Sequence, residues 1–129
     1  MRETCPEIIL RVPGDQAYAL VIRTMLGGVA LLKDLDMDAM DDLRTAADEA
    51  CDCLLHQGMP VRQLELSVRD LGQSLTVSLE ADMDEPTDPA DSDIAMTRAV
   101  LETLIPQVSL TCSETGRVRR IDLTLPKAA

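Results

Sequence analysis

The side chains able to do chemistry crowd into one stretch, Asp41-Asp42-Leu43-Arg44-Thr45-Ala46-Ala47-Asp48-Glu49-Ala50-Cys51-Asp52-Cys53-Leu54-Leu55, with His56 directly after it. Glu49 offers a carboxylate that can polarise a hydroxyl as a general base. Cys51 and Cys53 form a CxC pair, and with His56 they are the residue types of a metal or redox centre. The spacing argues against such a centre, because structural zinc sites use paired CxxC-type spacings and the other thiols, Cys5 and Cys112, stand far off in the chain. The expectation is therefore four reduced, mostly buried thiols and no metal. No nucleophile or base lies near His56 in sequence, so contact with the carbonyls that end a helix fits it better than proton shuttling. Glu49 reads as a solvated residue on the polar side of an acidic helix.

The elements that must carry these groups follow from periodicity. Glu7 to Val12 reads as a strand stopped by Pro13-Gly14, and Asp15 then caps a helix to about Lys33. Ala17, Leu20, Val21, Met25, Gly28, Val29 and Leu32 recur three and four apart, which predicts that they form its buried face. The Gly27-Gly28 pair weakens a helix by about 1 kcal/mol per glycine relative to alanine, so close packing against another backbone, within the chain or in a homodimer, is expected there. After the acidic link Asp34 to Asp38, a second helix capped by Asp36 or Asp38 runs to His56, with Met40, Leu43, Ala47, Ala50 and Leu54 on its inner side.

Gly58-Met59-Pro60 ends that helix. Leu64, Leu66 and Val68 alternate, as do Leu75, Val77, Leu79 and Ala81, so two strands flank the hairpin turn Asp70-Leu71-Gly72-Gln73. Ala81 to Asp93 carries Pro86, Pro89 and six acids with no base, the composition of a mobile acidic loop. A third helix from about Asp93 to Ile105 stops at Pro106, and a last hairpin, Gln107 to Cys112 and Arg117 to Leu125, closes the chain. The order β-α-α-β-β-α-β-β predicts an α+β fold, a two-layer sandwich whose mixed, mostly antiparallel sheet carries its helices on one face. At 129 residues, a single domain over 1–129 is expected.

Composition excludes several functions. A formal charge of −11 opposes nucleic-acid and anionic-membrane binding, and a basic or polar protein partner suits it better. Phe and Trp are absent and Tyr18 is the sole aromatic, so no stacking platform for bases exists. No apolar run is long enough for a membrane helix, and Met1 to Pro13 has none of the organisation of a secretory signal, which predicts a soluble, cytoplasmic protein.

The stretch from Asp41 to Leu55 resembles the N-box helix of GHKL ATP-binding proteins, in particular the bacterial anti-sigma-factor serine kinases, whose helix typically reads DLxLAxxEACxNxI. The resemblance extends to the opening strand with Val12-Pro13-Gly14-Asp15, both helices, the hairpin, the loop, the third helix with Arg98-Ala99-Val100 and the final hairpin. It implies the histidine-kinase-like ATPase fold. It also implies a glutamate acting as, or beside, the general base, and an asparagine four residues on that holds Mg²⁺ against the ATP phosphates. Glu49 matches the glutamate, but Cys53 stands where the asparagine belongs.

The family's DxG motif, whose aspartate accepts from the adenine amino group, falls on Ala81 and Met83 when the alternation of the strand is continued. A slip by one residue offers Asp82 and Asp84, on the opposite face and with no glycine. The phosphate-gathering GxGL motif falls on Asp91-Ser92-Asp93-Ile94, with carboxylates replacing both glycines and repelling a triphosphate.

The resulting expectation is a degenerate, non-enzymatic member that binds a protein such as a sigma factor or an anti-sigma antagonist, with no cofactor and no metal. The alternative is an active serine kinase using ATP and Mg²⁺, in which Glu49 polarises the substrate hydroxyl and Asp82 replaces the missing ligand. A purely structural assembly role is the third reading.

Overall fold

The computed structural model describes residues 5–84, 88–90 and 94–127. Its elements run β1 (Ile8–Pro13), a 3₁₀ turn (Gln16–Tyr18), α1 (Ala19–Leu32), α2 (Met37–Leu55), β2 (Val61–Asp70), β3 (Ser74–Met83), α3 (Ile94–Leu104), β4 (Gln107–Cys112) and β5 (Val118–Pro126). The order matches the one expected from the sequence. The strands form one five-stranded sheet, β1-β2-β3-β5-β4, and the expected mixed sheet is antiparallel throughout.

One face of this sheet makes the core. Leu64, Leu66 and Val68 of β2, Leu75, Val77, Leu79, Ala81 and Met83 of β3, and Ile121, Leu123 and Leu125 of β5 are buried at every second position. Helix α2 packs between α1 and α3. Its inner side presents Met40, Leu43, Ala46, Ala47, Ala50, Cys51 and Leu54, which includes all five residues expected there. Asp36 caps it, accepting from the Ala39 N–H at 2.8 Å.

Helix α1 departs from expectation twice. Asp15 caps only the 3₁₀ turn, through the Ala17 N–H at 2.9 Å, and the α-helix proper begins at Ala19. The buried face is Ala19, Ile22, Leu26, Val29 and Ala30, whereas Leu20, Val21 and Leu32, expected inside, point out. The cause is that α1 is apolar around most of its circumference, so three-and-four spacing can be drawn along more than one side. A Cβ on Gly27 or Gly28 would meet nothing within 4 Å, so among the described residues no other backbone packs on the pair. Gly14 is the glycine that packing requires, because a Cβ there would run into the Val61 carbonyl.

The sheet's other face is polar and self-paired. Arg11 meets Glu65 at 2.9 Å, and Arg120 meets Asp122 at 2.9 Å and Glu80 at 3.7 Å. Near the loop, Arg62 reaches Asp82 at 2.9 Å and Asp84 at 2.8 Å. Among the described residues, no helix is long and apolar enough to cross a membrane.

Candidate functional site at the end of the second helix

Glu49 and Cys53 lie one turn apart on α2, both half-buried, on the side that approaches α3. The Thr97 hydroxyl of α3 and Cys112 of β4 both lie close enough to Cys53 to act on it. Burial pushes the Cys53 thiol above its ordinary pKa, and the nearby charges of Glu49 and Asp52 add to the rise against the opposing Thr97 contact. Cys51, on the core side, is pushed up to about 12 by burial and then by Asp48 and Asp52. Both are neutral thiols at physiological pH. All four cysteines are free, but the expectation that most are buried fails: Cys5 and Cys112 are exposed.

Ala81 and Met83 sit on the helix-facing side of β3, each 2% exposed, as the alternation required. Asp82 projects to the opposite face and is tied to Arg62, so the carboxylate that the kinase alternative needs as a replacement ligand points away from Glu49. Asp91 and Asp93 lie outside the described residues, so the GxGL position has no structural account. His56 contacts a carbonyl in the last turn of α2, as expected: its Nδ1 lies 2.9 Å from the Asp52 carbonyl and 3.1 Å from the Asp52 carboxylate.

Two residues that sequence reasoning missed organise this end of the molecule. The side-chain amide of Gln57, just past α2, donates to the Val118 carbonyl at 2.7 Å and accepts from the Val118 N–H at 2.7 Å, completing the backbone pairing of β5. Arg117 is 4% exposed. Its guanidinium donates to the carbonyls of Gln57 and Asp88, both at 2.9 Å. The Ala90 N–H donates to the Thr115 carbonyl at 2.9 Å, so residues 88–90 of the acidic loop are held to the β4–β5 turn. A buried cation beside the carbonyl end of α2 is favoured by the helix dipole. Burial of a glutamine and an arginine has no periodic signature, which is why the sequence did not reveal them; the nearest hint is Arg117 directly after the tight turn Ser113–Gly116.

Between α1 and α2 a polar cleft of about 190 Å³ is lined by Arg23, Asp41, Arg44, Thr45 and Asp48, with Arg23 paired to Asp48 at 3.2 Å. Beside it, the outer side of α1 leaves Leu20 59%, Leu31 70% and Leu32 70% exposed. A monomer rarely presents so many large apolar side chains on one helix.

No family model matches the chain. It is 36% identical over 64 residues to the anti-sigma-F factor RsbW of Mycobacterium tuberculosis, in strains CDC 1551 / Oshkosh and ATCC 25618 / H37Rv, a match covering 50% of this chain and 38% of those proteins. In the crystal structure of the RsbU and RsbW domains of Rv1364c from the same organism, 97% of this chain superposes on 34% of that chain, with a TM-score of 0.66 and 13% identity. The chain is thus homologous to anti-sigma-F factor RsbW over half its length and has the fold seen in that RsbU–RsbW structure over nearly all of it.

Proposed function

We propose that this chain is an anti-sigma-type regulatory module that acts by holding a protein partner, a sigma factor or its antagonist, and has lost the Mg·ATP site. The observation carrying this reading is the pair of replacements at the N-box end: a half-buried, protonated Cys53 at the metal position and a buried Ala81 at the adenine position. Mg²⁺ takes oxygen ligands in near-octahedral geometry and gains nothing from a neutral thiol. A methyl group accepts no hydrogen bond from an adenine amine. The residues present do not fit the nucleotide.

The partner surface in this reading is the outer side of α1. Leu20, Val21, Leu31 and Leu32 supply the apolar area, the open Gly27-Gly28 pair lets a backbone approach, and Asp38, Asp41 and Asp52 make the neighbouring ridge of α2 acidic. A partner with apolar anchors and a basic rim complements it, in keeping with the charge of −11. The same surface accounts for a homodimer if two copies meet there.

Calorimetry with ATP and Mg²⁺ is expected to show no binding up to millimolar nucleotide, while Leu31→Ser with Leu32→Ser abolishes partner capture or self-association without unfolding the chain. Micromolar ATP binding, or phosphate transfer to a serine of an antagonist protein that Glu49→Ala abolishes, overturns the reading.

A further inference from the structure

The far end of the sandwich, near the start of α2 and some thirteen residues before Glu49, holds a cavity of about 300 Å³. Leu35, Ala39, Leu104 and Leu125 form its apolar wall, and Asp36 and Asp42 contribute carboxylates. Lys127 also lines it, but that charge is spent: its Nζ donates to both oxygens of Asp70, at 2.8 and 3.0 Å. Asp70 also holds Lys33 at 2.9 Å, and Lys33 holds Glu7 at 2.8 Å, so this chain of two cations and two carboxylates is neutral in itself. Asp36 is engaged as the cap of α2. Asp42 is different. It is half-buried, and among the described residues no donor or cation reaches it.

We infer that this cavity is a binding site for a small amphipathic cation, a molecule with a short apolar body and one ammonium or amidinium group. The volume is at the lower limit of small-ligand pockets, which suits a body of several carbons. The apolar wall takes that body, and the cationic head supplies a counter-charge to Asp42, for which the described residues provide none, with Asp36 of the same lining adding to the negative potential. An anion is disfavoured because the one lysine present is already neutralised. The site lies at the opposite end of α2 from Cys53 and does not depend on whether nucleotide binds.

The test is a nuclear magnetic resonance titration of the whole chain with n-hexylammonium, hexan-1-ol and hexanoate, ligands of one shape and three charges. Saturable shifts are expected at the amides of Ala39, Asp42, Leu104 and Leu125, with hexylammonium binding about fivefold more tightly than the alcohol, the upper range for a half-exposed ion pair. Hexanoate is expected not to bind. Asp42→Asn should bring hexylammonium down to the alcohol while leaving the alcohol unchanged, and Leu104→Trp, which fills the cavity, should remove both. Equal binding of ammonium and alcohol, a preference for hexanoate, shifts confined to other parts of the chain, or an Asp42→Asn protein that keeps the preference overturns the inference.

Discussion

Helices α1 and α2 lie side by side in one layer, yet they present opposite surfaces. Helix α2 separates its residues sharply, with alanine and leucine on the sheet and Asp38, Asp41 and Asp52 outside. Helix α1 buries Ile22, Leu26 and Val29 and then exposes Leu20, Leu31 and Leu32 on its other side. Packing within the chain explains the apolar residues of α2 apart from the exposed Met37, but leaves Leu20, Val21, Leu31 and Leu32 of α1 outside. The surplus on α1 is what points to a partner, since a surface helix serving the fold alone would be polar outside.

The largest test of this contrast is on the side of α2 that the core needs. Leu43→Ala removes a fully buried side chain and is expected to destabilise the chain by about 2–5 kcal/mol in urea denaturation. Next is Gln57→Ala at the end of the same helix, which strips the buried Val118 N–H and C=O of their partner and should lower stability by about 1–3 kcal/mol. Both losses should appear whether or not a partner is present.

On α1 the signs should differ. Gly27→Ala and Gly28→Ala place a methyl in open space within a helix, and each is expected to stabilise the isolated chain by about 0.5–1 kcal/mol while weakening whatever association uses the pair. A loss of stability in the monomer would mean that the glycines serve an internal contact after all. Leu31→Ser with Leu32→Ser should shift stability by no more than about 0.5 kcal/mol, with capture of the proposed partner lost in sedimentation velocity.

The smallest effect concerns the end of α1, where Lys33 bridges Glu7 and Asp70. Hydrogen bonds from Lys127, then Lys33 and the Gly72 N–H, hold the Asp70 carboxyl well below the usual carboxylate range. A folded value below the unfolded one means that this stabilisation is complete above the ordinary value of 3.8 and is lost as pH falls below it. Asp70→Asn should therefore lower the urea midpoint slightly at neutral pH and flatten its decline in acid. An unchanged acid limb would show that the cluster adds nothing to folding.

How far the sequence reached depended on how strongly each segment's pattern excluded alternatives. In α2, charged residues interrupt the apolar series so regularly that one face alone can be buried, and the five residues assigned inside are inside. Strict alternation did the same for β2 and β3, placing Ala81 and Met83 inward and Asp82 outward before any coordinates were needed. The Glu49-Cys53 spacing placed both residues one turn apart on α2, where they are half-buried. The remainder needed the tertiary structure. In α1 nearly every position is apolar, so only its contact with α2 decides which side is inside. The Gln57 clasp, the buried Arg117 and the placement of Asp42 beside Leu104 and Leu125 each join a side chain to a partner or cavity distant in sequence, and such pairings arise from the packing of whole elements, for which one-dimensional spacing has no signature.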